Sequence, residues 1–266
     1  MQVPVVQVPD ILALDFDGVI CDGRREYVHS GWRTYRQIWD SPSATPPDGL
    51  AERYIALTAV IETDLDVPLL VRALMLDLPA ERILQEWTEL TPQLLAGVAR
   101  EKIQTEFVRQ RDQWMAEDFN HWLNQQPLYP GVTDRLQQIL ASPIKLVIVT
   151  NRGQRFALQL LQAAGVMIPE SQVFGKQSDR PKYQVLRQLL TLEDSKLWFV
   201  EDHVKALRLV KQQPDLAQVE LFLADWGFNT PTVRAEMESD PQIHLLSLAQ
   251  FTQPDFSGWL NADCNS

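Results

Sequence analysis

The run from Ile11 to Gly18 (ILALDFDG) is apolar until it ends in two aspartates one residue apart, Asp15 and Asp17, followed by a glycine. Burying one unpaired carboxylate costs several kcal/mol. Two at the end of a buried strand therefore imply a bound cation or a shifted pKa. Residues i and i+2 of an extended segment project the same way, so both acids can face one ligand.

Other apolar runs end in matching groups. Lys145 to Thr150 leads into Thr150, Asn151 and Arg152, and Leu197 to Glu201 ends in Glu201 and Asp202. Between them, after Gly175, a polar loop carries Arg180, Pro181 and Lys182 into a helical pattern. Phosphoryl transfer through an aspartyl-phosphate uses such a set. A carboxylate serves as nucleophile, and magnesium offsets its repulsion from an anionic phosphate. Asp15 and Asp202 offer the oxygen ligands magnesium prefers. Asp17 can protonate the leaving oxygen and then take a proton from water. Thr150, Asn151 and Lys182 are the expected phosphate-binding residues, aided by backbone N–H groups at loop and helix starts. Lys176 and Arg180 compete with Lys182 for that place. Arg152 is read either as a substrate contact or as a surface salt bridge.

The elements that must position these residues alternate. Strand-like runs cover Ile11–Phe16, Lys145–Thr150, Val173–Phe174, Leu197–Glu201, Val219–Ala224 and Ile243–Leu246. Helical patterns cover Thr133–Leu140, Arg155–Ala164 and Tyr183–Leu190. Alternation of this kind predicts an α/β fold with a doubly wound parallel sheet, whose ligands bind beyond the carboxyl ends of the strands. Residues 23–127 break the rhythm. They show helical patterns, including Leu94–Leu123, no strand, a loop at Asp40–Gly49, and five of the eight tryptophans. A crossover needs only about a dozen residues, so this segment is expected to be a separate helical domain inserted into a core of residues 1–22 and 128–266.

These motifs resemble the haloacid dehalogenase (HAD) superfamily on its phosphatase branch. Asp15-Phe16-Asp17-Gly18-Val19 matches the Asp-x-Asp-Gly-(Thr/Val) motif, Thr150 the strand-ending Thr or Ser, Lys182 the helix-opening lysine, and Glu201-Asp202 the acidic motif. The resemblance covers about residues 10–22 and 128–250. It implies a Rossmann-like catalytic core, a helical type-1 cap at 23–127, and Mg2+ as cofactor. It also implies Asp15 as nucleophile, Asp17 as acid/base, Asp202 as metal ligand, and the Asp17 carbonyl as a further ligand. Many relatives carry another acid four or five residues after the acidic pair, where this chain has Ala206 and Leu207. Either Glu201 takes over that role or metal binding is weaker.

A formal charge of −11 opposes general binding to nucleic acid or anionic membranes. It favours a small phosphorylated metabolite as the partner of a monomer or weak homodimer. The two cysteines, Cys21 and Cys264, make neither a disulfide framework nor a metal cluster, which suits a cytoplasmic setting. The apolar runs are strand-sized, below the roughly 18–20 residues that span a bilayer. The expected activity is phosphomonoester hydrolysis. A sugar phosphomutase of the same fold remains open, as does a non-catalytic binding or assembly factor. Plainer roles are also on the table: helix caps for the acids and Thr150, a loop histidine at His203, structural histidines at His29 and His121, solvated charges at Arg24 and Arg25, and rim packing for Trp226 to Asn229.

Overall fold

The computed structural model describes residues 7–176, 180–190 and 195–260; Cys264 lies outside them, and Cys21 is buried. Six strands form one parallel sheet: β1 (Ile11–Leu14), β2 (Lys145–Val149), β3 (Val173–Phe174), β4 (Leu197–Glu201), β5 (Glu220–Ala224) and β6 (Ile243–Leu246), in the order β3-β2-β1-β4-β5-β6. The doubly wound parallel sheet expected from the alternation is present. β1 lies between β2 and β4, and the winding reverses beside it, which opens a crevice past the carboxyl ends of the strands.

β1 is apolar and buried at all four positions, as a strand covered on both faces must be. Side chains alternate across the sheet. Ala13, Val147, Val149, Phe199, Leu221 and Leu223 share one core with Val185, Leu186 and Leu189 of the helix Lys182–Leu190 and with Leu207 and Val210 of the helix Val204–Lys211. An aromatic cluster also packs on the sheet: Trp198 lies 5.1 Å from Phe222 and 5.6 Å from Trp259, ring to ring. β1 and β2 stop sooner than the apolar runs suggest. Past Leu14 and Val149 the chain turns into loops, although Asp15 N still donates to Val200 O at 2.9 Å.

The chain divides into two compact units: residues up to Asp22 together with those from Leu128 onward, and Gly23–Pro127. The second unit contains no strand among its described residues. Its helix Arg24–Ile38 packs on Asp66–Met75 and on Arg100–Glu117. At Gly31 an added Cβ would lie 3.1 Å from Val67 O, so the first two of these helices meet at a small residue. The helical pattern Leu94–Leu123 is not one helix. Ala96 (φ 46°) and Gly97 (φ 80°) end Trp87–Leu95 in left-handed backbone, and Asp118 caps Phe119–Asn124 by accepting from His121 N at 2.9 Å. Trp32, Trp87, Trp114 and Trp122 are buried. His29 and His121 pack around Trp114, each 5.3 Å from its ring, and Trp114 Nε1 donates to His121 Nδ1 at 3.2 Å.

The interior of this unit also holds a charged cluster. Arg111 donates to both oxygens of Glu26, at 2.8 and 2.7 Å, and to Asp64 Oδ1 at 3.1 Å; Ser30 Oγ donates to Glu26 as well. Arg111 and Glu26 are both fully buried. Removing one partner strands the other charge, at a cost of roughly 3–5 kcal/mol, whereas removing both is far milder. Arg111→Met should therefore lower the denaturation midpoint more than the double variant Glu26→Gln/Arg111→Met. Equal loss in the two, measured by urea unfolding, would contradict the account.

Candidate active site

The polar site lies just past the carboxyl ends of β1, β2 and β4. Asp15 follows β1 directly and is 6% exposed. Lys182 opens its helix and places Nζ 2.8 Å from Asp15 Oδ1, and it donates to Glu201 Oε2 at 2.6 Å. Glu201 Oε1 accepts from His203 N at 3.0 Å. Asp202 Oδ2 accepts from Phe228 N at 2.6 Å. Asn229 Nδ2 donates to the carbonyls of Asp202 (3.1 Å) and Ala224 (2.8 Å), and is itself held through Oδ1 by Arg234 Nη1 at 2.9 Å.

Two glycines make room for Asp202. Gly18 has φ +81°, and a Cβ there would lie 1.9 Å from Asp202 Oδ2; a Cβ on Gly227 would lie 2.2 Å from Asp202 Cβ and 2.8 Å from Gly18 O. No other residue fits either place, by backbone angle at the first and by space at both.

Charge is the dominant feature. Burial, then the charge of Glu201, pushes the Asp15 carboxyl up to about 7, against the opposing pull of Lys182. Burial raises Asp202 well above the carboxylate range, with Glu201 and Asp15 adding to it and the Phe228 N–H opposing. Burial disfavours the ammonium of Lys182, but Asp15 and Glu201 outweigh it and hold the group charged.

Oxygens of Asp15, Glu201 and Asp202 lie within 4.8 Å of one another, and buried Asp15 Oδ1 has no hydrogen bond of good geometry despite its contact with Lys182. An all-oxygen donor set, in a cradle that a Cβ would fill, fits a hard divalent cation.

Asp17 and Thr150 lie on neighbouring loops. Asp17 is paired with Arg152, whose Nη2 and Nε meet its two oxygens at 2.6 and 2.9 Å. Arg152 is therefore not a surface salt bridge: its side chain is 1% exposed, and it touches an acid of the site. Thr150 N donates to Phe174 O at 2.9 Å, and its Oγ1 accepts from Arg152 N at 3.0 Å. Thr150, Asn151 and Lys182 line a cavity of about 430 Å³ on the β2–β3 flank, bounded also by Gln154, Gly175 and Arg180; Asp15, Asp17, Glu201 and Asp202 are not among its lining residues. Of the three competing cations, Lys182 meets Asp15, whereas Arg180 donates to Gln188 Oε1 at 3.1 Å and Lys176 contributes its backbone N–H to Arg152 O at 2.9 Å. Leu207 is core, and Ala206 is half-buried.

Reading Trp226 to Asn229 as rim packing needs correction. Trp226 does pack, with Nε1 donating to Val19 O at 3.1 Å, but Gly227, Phe228 and Asn229 hold Asp202. The available signal was a glycine and an asparagine just past a strand bordering β4.

A carboxyl raised on folding contributes stability that is complete below its ordinary pKa and is lost as pH rises through its folded value, here about 7 for Asp15. A cation that favours the ionised carboxylates opposes that loss. Magnesium should raise Tm more at about pH 8 than at about pH 5, and Gly227→Ala should reduce the shift by displacing Asp202. Equal shifts at both pH values, or an unaltered shift in Gly227→Ala, would contradict the assignment.

Comparison with known proteins agrees with this architecture. No curated protein matches the sequence significantly. Among solved structures, a predicted phosphatase from Clostridium acetobutylicum is similar over 92% of this chain and 97% of its own, at TM-score 0.57 and 13% identity. A predicted phosphoglycolate phosphatase from Haemophilus somnus is similar over 91% and 95%, at 0.54 and 17%. A haloacid dehalogenase-like family hydrolase from Streptococcus pneumoniae is similar over 92% and 95%, at 0.52 and 16%. These likenesses show the fold. Residues 9–208 match the model of the haloacid dehalogenase-like hydrolases, and the chain belongs to that family.

Proposed function

We propose that the protein is a magnesium-dependent phosphomonoester hydrolase acting on a small phosphorylated metabolite through an aspartyl-phosphate. The observation that carries this is the meeting of Asp15, Lys182, Glu201 and Asp202 at one buried point, with Asp17 and Thr150 on the adjoining loops. Similar structures described as a predicted phosphatase and a predicted phosphoglycolate phosphatase are consistent with this reading.

An Asp15 oxygen attacks phosphorus in line with the ester bond. The leaving oxygen departs with a proton from Asp17. Water then attacks the acyl phosphate, Asp17 takes its proton, and phosphate leaves with Asp15 regenerated. The Thr150 hydroxyl and the Lys182 ammonium hold the phosphoryl oxygens, with Asn151 at the edge of the same cavity. Asp15, Asp202 and the Asp17 carbonyl would hold the cation, with Glu201 beside them. When bound, it supplies charge neutralisation for a carboxylate meeting an anionic phosphate. The helical unit, residues 23–127, serves in this reading as a cap that excludes water and selects the substrate.

A screen of phosphorylated metabolites for released phosphate tests the reading, with Asp15→Asn as control. Activity on at least one small monoester is expected, silenced by EDTA, restored by magnesium and absent in Asp15→Asn. Turnover in Asp15→Asn near the unmodified rate would remove Asp15 as nucleophile. Asp17→Asn should keep KM within a few-fold while kcat falls by about 100-fold or more. A kcat that stays put would remove Asp17 from proton transfer. Isomerised sugar phosphate in place of free phosphate would identify a mutase.

A further inference from the structure

Asp17 stands beyond the end of β1, outside the strand ladder. Its backbone is fixed by a tight turn in which Ile20 N and Cys21 N both donate to Phe16 O at 2.9 Å and Gly18 N donates to Cys21 O at 2.9 Å. Its carboxylate is fixed by Arg152, through Nη2 to Oδ1 at 2.6 Å and Nε to Oδ2 at 2.9 Å. The terminal torsion of an aspartate is otherwise broad and roughly two-fold. Two side-by-side bonds from a planar guanidinium set both the position and the rotation of the carboxylate.

Arg152 is itself held in place. Its N donates to Thr150 Oγ1 at 3.0 Å, its O accepts from Lys176 N at 2.9 Å, and its guanidinium lies 5.6 Å from the ring centre of buried Phe16. A Cβ on Gly175 would come within 2.8 Å of Arg152 O, so the loop keeps the arginine backbone close. The β1–β2 register explains the reach. Leu14 is level with Ile148 in the last pair of the β1–β2 ladder, and Asp17 and Arg152 lie on the loops that leave these two neighbouring strands at the same end. The Nε and Nη2 that could grip a phosphoryl group in parallel face Asp17 instead.

We infer that Arg152 is a positioning residue for Asp17: it aims the acid at the leaving-group oxygen and governs proton transfer through Asp17, rather than holding the phosphoryl group. The inference rests on the acid–base role proposed for Asp17. It makes Arg152 matter only where a proton must be delivered. Phenyl phosphate needs its leaving oxygen protonated, whereas p-nitrophenyl phosphate releases a stable phenolate unaided. The ratio kcat/KM reports the first chemical step, and so reads this difference directly.

Arg152→Lys keeps the charge but cannot make two parallel bonds. It should lower kcat/KM by about 30-fold or more on phenyl phosphate and by less than about threefold on p-nitrophenyl phosphate. In an Asp17→Asn background, already deficient on phenyl phosphate, it should add almost nothing. Arg152→Gln is read in parallel, so that if the charge-free variant fails to fold the lysine variant still decides. Equal losses on the two esters, or losses that add fully to those of Asp17→Asn, would assign Arg152 to phosphoryl binding and overturn the inference. So would unchanged kinetics. If Asp17→Asn itself shows no preference between the esters, the acid role of Asp17 fails first, and this inference with it.

Discussion

Concentrated negative charge away from water is the constraint on which the core depends. Asp15, Glu201 and Asp202 bring carboxylate oxygens within 4.8 Å of one another in a buried setting, and Lys182 provides an ammonium among them. Like charges at that spacing repel strongly where water cannot screen them. Folding must offset this by protonation, by donors or by a cation. The raised carboxyl pKa values, the Phe228 N–H on Asp202 and the Lys182 contacts are three expressions of the same strain. A site built this way could hold a cation.

The sheet delivers the charges with little help from flexible chain. β1 and β4 pair with Leu14 level with Val200, so the next residues, Asp15 and Glu201, come side by side. β2 brings Thr150 and Arg152 to the same end from the other flank of β1. β5 adds the turn in which Gly227 and Phe228 close over Asp202. Parallel strands around a reversal of winding direction thus bring four separate stretches of sequence to one end of the sheet. The helical unit applies a different device to buried charge: Glu26 and Arg111 neutralise each other inside it, with no unsatisfied oxygen left for a ligand.

Most of this was legible in the sequence because strand ends announce themselves chemically. An apolar run stopping at Asp15, Thr150 or Glu201 reads as a buried strand whose end carries polar groups, although a helix cap would leave the same local trace. The alternation of periods gave the doubly wound sheet, and the strandless interval of residues 23–127 stood out by contrast. Three things were not legible. The break at Ala96 and Gly97 was hidden because apolar spacing runs on either side of a left-handed turn. The fork between Arg152 and Asp17 joins residues 135 apart, and local pattern carries no trace of such a pairing. Nor was the grip of Gly227 to Asn229 on Asp202 read from the sequence: the glycine and the asparagine past β5 were a signal, but the Phe228 N–H that meets the carboxylate leaves no trace in residue type.

In the proposed reaction the carboxylate just past β1, Asp15, becomes phosphorylated during turnover. Rapid mixing with p-nitrophenyl phosphate and magnesium, acid quenching within a turnover, and peptide mass mapping tests it most directly. An acyl phosphate on Asp15, absent without magnesium and accumulating in Asp17→Asn, is the result predicted here. Phosphate found on another residue, or steady phosphate release with no modified peptide under any quench time, would contradict the account.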